Sequence, residues 1–140
     1  MSGDAVSRDT LSRDAAGREA MAGELRLLRE RTAGVTDTAV AAVDGLLVAA
    51  DAVPERDLET LAALGATTLG LARRTAAMTG RGALRRAVIH CSGGCAVVYA
   101  IGDTALLLVL GDEGLDLERL HLESGALIAR MEQVLHGSGK

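Results

Sequence analysis

The stretch Arg85–Leu110, RRAVIHCSGGCAVVYAIGDTALLLVL, decides how this chain folds. It reads as three strands in quick succession: Arg85 to Cys91, Cys95 to Ile101, and Thr104 to Leu110. The joins, Ser92-Gly93-Gly94 and Gly102-Asp103, carry the glycines and short polar residues of hairpin turns. ALLLVL is apolar throughout, as expected of a central strand covered on both faces. Arg85, Arg86 and His90 make the first run more polar, as expected of a sheet edge.

The middle of this stretch, HCSGGC, holds both cysteines of the chain and one of its three histidines. Zinc needs four ligands, and structural sites pair two close knuckles. Only one knuckle exists here, and its spacing is CxxxC. The remaining histidines, His121 and His136, fall on a later helix. His90 and Cys91 are strand neighbours and point to opposite faces. No CxxC redox motif is present. A turn explains the same residues better. A three-residue loop with Gly94 left-handed is favoured, and it places Cys91 opposite Cys95 on one face. The alternative is a two-residue Gly93-Gly94 turn, which puts the cysteines on opposite faces.

Working outward, VTDTAVAAVDGLLVAAD (Val35–Asp51) has two apolar runs around Asp44-Gly45. Such a pair predicts strand, two-residue type I′ turn, strand. Upstream, Met21, Leu25 and Leu28 recur at helical spacing, predicting a short amphipathic helix from Gly17 to near Gly34. Downstream, Pro54 suits the first turn of a helix that runs to about Thr79 and stops at Gly80. Leu58, Leu61, Gly65, Leu69, Ala72 and Ala76 form one stripe on it, and Leu64, Thr68 and Leu71 widen that stripe. Gly65 and Gly70 each cost about 1 kcal/mol relative to alanine in a helix interior. Close approach of another backbone is a reason to keep them. After Asp112-Glu113-Gly114, the last helix begins near Leu115. Leu117, Leu120, Leu127, Met131 and Leu135 mark its buried side.

The element order is therefore α-β-β-α-β-β-β-α. The fold class is α+β: a five-stranded antiparallel sheet, with the middle helix on one face and the terminal helices on the other. Residues 17–136 form one domain, residues 1–16 read as a disordered tail, and 137–140 as a frayed end.

Composition narrows the function. The chain has 140 residues, no Phe, no Trp and a single aromatic, Tyr99. The usual means of stacking bases or gripping flat ligands is missing. A net charge of −4 predicts binding neither to nucleic acid nor to an anionic membrane. No apolar run approaches the roughly 20 residues of a membrane helix, and no signal-peptide core is present. These features predict a cytoplasmic protein with free thiols. Walker A, GxGxxG, GxSxG and HExxH motifs are all absent. The carboxylates lie on helix surfaces and turns, so no catalytic residue, cofactor site or metal site is assigned.

The runs AVAAVDGLLVAAD, DLETLAALGATTLGLARRTA and AVIHCSGGCAVVYAIGDTALLLVLGDEGLDLERL resemble the roadblock family of dynein light chains and their bacterial relatives. The resemblance spans Val35 to Leu135. It implies a roadblock/profilin-like sandwich and a homodimer, made by the middle helix (Asp57 to Thr79) and the following strand (Arg86 to Cys91). Leu58, Leu61, Gly65, Leu69, Ala72, Arg86, Val88 and His90 would then line the dimer interface. It also implies a non-enzymatic adaptor or regulator that binds a Ras-like small GTPase, commonly in an actinobacterial signalling gene cluster. The family has no shared catalytic residue to carry over. Two other readings are a small-ligand regulatory module and a redox or metal sensor built on Cys91 and Cys95.

Overall fold

The computed structural model describes residues 15–137. The expected tails before Ala15 and after Gly137 lie outside the described residues. Three helices and five strands follow the expected order: α1 (Ala15–Arg31), β1 (Val35–Ala42), β2 (Leu47–Asp51), α2 (Leu58–Thr79), β3 (Arg86–Cys91), β4 (Gly94–Ile101), β5 (Ala105–Asp112) and α3 (Leu117–Gly137). Helix α1 thus begins two residues ahead of its predicted start.

All neighbouring strands are antiparallel, in the order β2-β1-β5-β4-β3. The all-aliphatic β5 is the central strand, as its pattern predicts. Its side chains alternate between two cores. Leu107 and Val109 pack with Val40, Val97, Leu25, Leu120 and Leu127, under α1 and α3. Leu106 and Leu108 pack with Ala39, Ala41, Val98, Ala62 and Leu69, under α2. A strand buried on both sides has no solvent face, so it needs no polar alternation.

The two layers differ in the size of their side chains. On the α2 side, β1 offers only Ala39 and Ala41, and the helix answers with Ala62 and Gly65. Small residues on both surfaces let the helix come close to the sheet. A side chain begun at Gly65 would meet Leu106 Cδ1 at 3.6 Å and Val98 Cγ2 at 4.0 Å. These are ordinary contacts with side chains of the chain's own sheet, so within the chain no backbone approaches Gly65 closely, contrary to the expectation.

The β1–β2 connection departs from the type I′ expectation. The Ala42 carbonyl accepts from the Gly45 N–H at 2.9 Å, and the Ala42 N–H donates to the Leu46 carbonyl at 2.9 Å. Gly45 has φ +92°, whereas Asp44 does not take positive φ. This is the three-residue pattern of a turn followed by a left-handed glycine. The Asp44 carboxylate accepts from the Leu46 N–H at 3.1 Å, which fixes the turn without demanding left-handed geometry of Asp44 itself.

Pro54 also sits elsewhere than predicted. It occupies a turn closed by Arg56 N–H to the Val53 carbonyl at 3.1 Å, ahead of the helix. The N-cap is Asp57, whose carboxylate accepts from the Thr60 N–H at 3.1 Å and hydroxyl at 2.7 Å. These bonds hold its pKa below the usual carboxylate range. Gly80, left-handed at φ +65°, ends α2 at the predicted position.

A buried carboxylate ties the Pro54 turn to the sheet. Asp37 on β1 is 1% exposed. It accepts from the Thr36 hydroxyl at 2.6 Å, the Val53 N–H at 3.1 Å and Arg56 Nη2 at 3.1 Å. Burial pushes its pKa up, but these three donors outweigh burial and hold it below the ordinary value. A depressed carboxyl pKa stabilises the fold above the unfolded-state value near ~4 and loses that contribution as pH falls through the folded value. Asp37→Asn should therefore cost about 1–3 kcal/mol in urea melts at neutral pH. The gap to wild type should narrow as pH falls from about 4, where the unfolded chain takes up the proton, through the lower value of the folded carboxyl. An equal gap at both pH values would show that Asp37 is not the acid-sensitive group.

Candidate functional site: a helix stripe beside a free strand edge

The HCSGGC segment brings no reactive groups together. The pairing is His90 with Cys95 and Cys91 with Gly94, so the loop is Ser92-Gly93. Neither register weighed from the sequence occurs. Gly94 is already part of β4, and the backbone explains why. An added Cβ there would fall inside contact distance of the Gly111 carbonyl oxygen and 3.0 Å from Asp112 Cα. Cys91 and Cys95 consequently stand on opposite faces of the sheet, correcting the favoured face-to-face placement. Both are free. Cysteine side chains on opposite faces cannot bridge without moving the backbone. Burial raises the Cys95 pKa, so its thiol stays protonated. Among the described residues, no three His, Cys, Asp or Glu side chains gather to hold a metal ion.

Exposed apolar side chains of the described residues are scattered, with Leu27 on α1, Leu46 before β2 and Leu122 on α3 among them, but they line up only on α2. Its inner side is Ala62, Gly65 and Leu69, all buried against the sheet. Leu58, Leu61 and Ala72 are half-buried at the flanks. The outer side carries Leu64, Leu71 and Met78, exposed by 57%, 64% and 86%. Their heptad spacing keeps them on one stripe of the helix. Thr67, Thr68 and Thr75 lie between or beside them. Each threonine hydroxyl donates to the carbonyl one turn back: Thr67 to Ala63 at 3.1 Å, Thr68 to Leu64 at 2.9 Å, and Thr75 to Leu71 at 3.1 Å. The hydroxyl protons are therefore satisfied inside the helix. What the stripe needs from a partner is apolar cover.

Beside this helix runs an open sheet edge. β3 pairs only with β4, so the main-chain groups along its outer side have no strand partner within the chain. Register fixes its faces. Arg86, Val88 and His90 sit opposite Tyr99, Val97 and Cys95, on the α3 side. Ala87 and Ile89 sit opposite Val98 and Ala96, on the α2 side, where Ile89 is 42% exposed.

The expected interface set thus divides. Gly65 and Leu69 face the chain's own sheet. Leu58, Leu61, Ala72 and Val88 are half-buried, and Arg86 and His90 are exposed on the face away from α2. The exposed Leu64, Leu71, Met78 and Ile89 lie outside that set. Leu64 and Leu71 were visible in the sequence as the widening of the stripe. Met78 could have been found by continuing the heptad from Leu64.

On the α3 side, the Tyr99 hydroxyl hydrogen-bonds His121 Nδ1 at 2.7 Å. Burial raises the tyrosine pKa, and burial together with Arg86 lowers that of the histidine. The pair is therefore a neutral strut between β4 and α3.

A family model described as Roadblock/LC7 domain matches residues 21–111. No curated protein matches the chain. Among solved structures, the gliding protein MglB of Thermus thermophilus is 19% identical, with TM-score 0.80, covering 91% of this chain and 96% of that one. A Roadblock/LC7 domain from Streptomyces avermitilis is 22% identical, with TM-score 0.77, covering 82% and 97%. A second Streptomyces structure of such a domain is 28% identical, with TM-score 0.58, covering 79% and 96%.

Proposed function

Because this chain belongs to the Roadblock/LC7 domain family, we propose that it is a homodimeric, non-catalytic adaptor that binds and regulates a Ras-like small GTPase in a bacterial signalling system. The observation that carries the dimer is the coincidence of two unfilled surfaces. The Leu64–Leu71–Met78 stripe lacks apolar cover, and the adjacent β3 edge lacks a strand. A second copy related by a two-fold axis supplies both at once, helix to helix and edge to edge, the self-complementary contact of a symmetric dimer. Leu61 and Ala72 flank this contact, Val88 and Ile89 lie along its strand, and Gly65 and Leu69 support it from beneath.

The adaptor reading draws on the family and on what the fold offers: protein-facing surfaces without a catalytic constellation. Among the described residues, no helix is long and apolar enough to cross a membrane. The test is a search of the neighbouring genes for a P-loop GTPase, followed by its capture, loaded in turn with GDP and with a non-hydrolysable GTP analogue. Co-elution in at least one nucleotide state is the expected result. Failure to co-elute in either state, with both proteins folded, would sink the adaptor reading.

A further inference from the structure

We propose that the corner where α2 turns into β3 is a docking groove for a carboxylate-rich segment of a partner protein. The first observation is a segregation of charge. Between Thr60 and Gly102 there is no Asp or Glu, yet the span contains Arg73, Arg74, Arg81, Arg85 and Arg86. The chain as a whole carries −4, so the positive charge is concentrated against the trend of the molecule.

The second observation is that these arginines are left without carboxylate partners. Arg29, Arg56, Arg119 and Arg130 are each paired, with Asp51, Asp37, Glu123 and Glu24. Among the described residues, Arg74, Arg81, Arg85 and Arg86 make no such pair; Arg26 and Arg31 on α1 make none either, but they stand among Glu24 and Glu30 rather than in a span without carboxylates. Arg73 is used differently: its Nη2 donates to the Gly102 carbonyl at 2.7 Å and fixes one wall of the site.

The third observation is shape. Arg85 and Arg86 border an open groove of about 700 Å³, with Leu84 and Ile128 among its apolar lining and Asp103 and Glu132 also contributing to its wall. A guanidinium fork matches a carboxylate in two hydrogen bonds. The apolar lining takes an aliphatic side chain between two such contacts. Asp103 and Glu132 repel a dense run of phosphates but accept from the main-chain N–H groups or basic residues of a mixed segment. Tyr99 is buried and offers no exposed ring for a base to stack on. These features favour an acidic protein segment over a nucleic acid or a lipid headgroup. Edge pairing of β3 uses main-chain groups, whereas the Arg86 side chain stands on the strand's α3-side face. The groove wall formed by Arg86, His121, Ile128 and Glu132 therefore lies on the opposite side of the sheet from the dimer's helix stripe. The inference rests on the adaptor reading only in taking the partner to be a protein.

The test uses the full chain and a fluorescein-labelled peptide alternating Glu with Leu, followed by anisotropy. Binding is expected, and it should weaken as salt rises. Arg85→Gln with Arg86→Gln, which keeps the apolar stems, should weaken it by about tenfold or more. Arg26→Gln with Arg31→Gln, on α1, should leave it unchanged. Circular dichroism of both variants confirms that they fold. Equal binding of a Gln–Leu peptide, equal loss in the α1 variant, or displacement by inorganic phosphate at matched ionic strength would each overturn the proposal. If the groove variant no longer binds the peptide yet still captures the GTPase, the groove takes acidic segments but is not the GTPase contact. Absence of peptide binding to wild type, with GTPase capture intact, removes this inference and leaves the adaptor reading standing.

Discussion

Leu64→Glu with Leu71→Glu is expected to convert a dimer into a folded monomer at micromolar concentration, read by light scattering. Each leucine buried at an interface contributes about 1.5–3 kcal/mol. Losing both should raise the dissociation constant by more than about a hundredfold. The fold should survive, because both side chains already project into solvent from the single chain. Unchanged circular dichroism would verify that. Gly65→Leu cannot serve the same purpose. Its side chain would drive into Leu106 and Val98, overpacking the core by about 1–3 kcal/mol, so any loss of dimer would reflect a damaged fold. A wild-type protein that is monomeric at micromolar concentration, or a doubly substituted protein that remains dimeric, would remove the stripe from the interface.

The second large effect concerns two adjacent glycines. Gly94→Ala is expected to cost about 3 kcal/mol or more, because Gly94 sits at φ +150° and its new Cβ would press on the Gly111 carbonyl. Gly93→Ala meets nothing within 4 Å and keeps an allowed φ. Its effect should stay within about 0.5 kcal/mol and could be slightly stabilising. Urea melts of the two variants side by side make the comparison. Similar midpoints would mean that the loop is not Ser92-Gly93 and that the strand register is different.

That contrast shows where reading the sequence stops. The continuous apolar run of β5, the polar start of β3 and the glycine at each turn were enough to place the strands, their order along the chain and the edge. They could not choose among Ser92, Gly93 and Gly94, because local turn chemistry allows either glycine to lead. The choice is made by Gly111, on a strand reached only later in the chain, whose carbonyl leaves no room for a side chain at Gly94. The same limit explains α2. Periodicity showed two neighbouring stripes, but not which one meets the sheet. Ala39 and Ala41 decide it, because their short side chains admit the stripe containing Ala62 and Gly65 and turn Leu64 and Leu71 outward. Met78 stands one heptad beyond Leu71, past the residues that marked the stripes.

The back-bonded threonines of α2 have a consequence for partner choice. With their hydroxyl protons spent inside the helix, the outer stripe offers methyl groups, two leucines and a methionine, and no amide or carboxylate by which one helix could tell its mate from a close homologue. Arg74 is the charge left beside it. Two copies of Arg74 repel if the helices run parallel and lie at opposite ends if they run antiparallel. Such a seam specifies orientation but not identity. A paralogue with the same stripe and a compatible β3 edge should therefore exchange subunits with this chain, and the two forms of dimer would coexist wherever both chains are made.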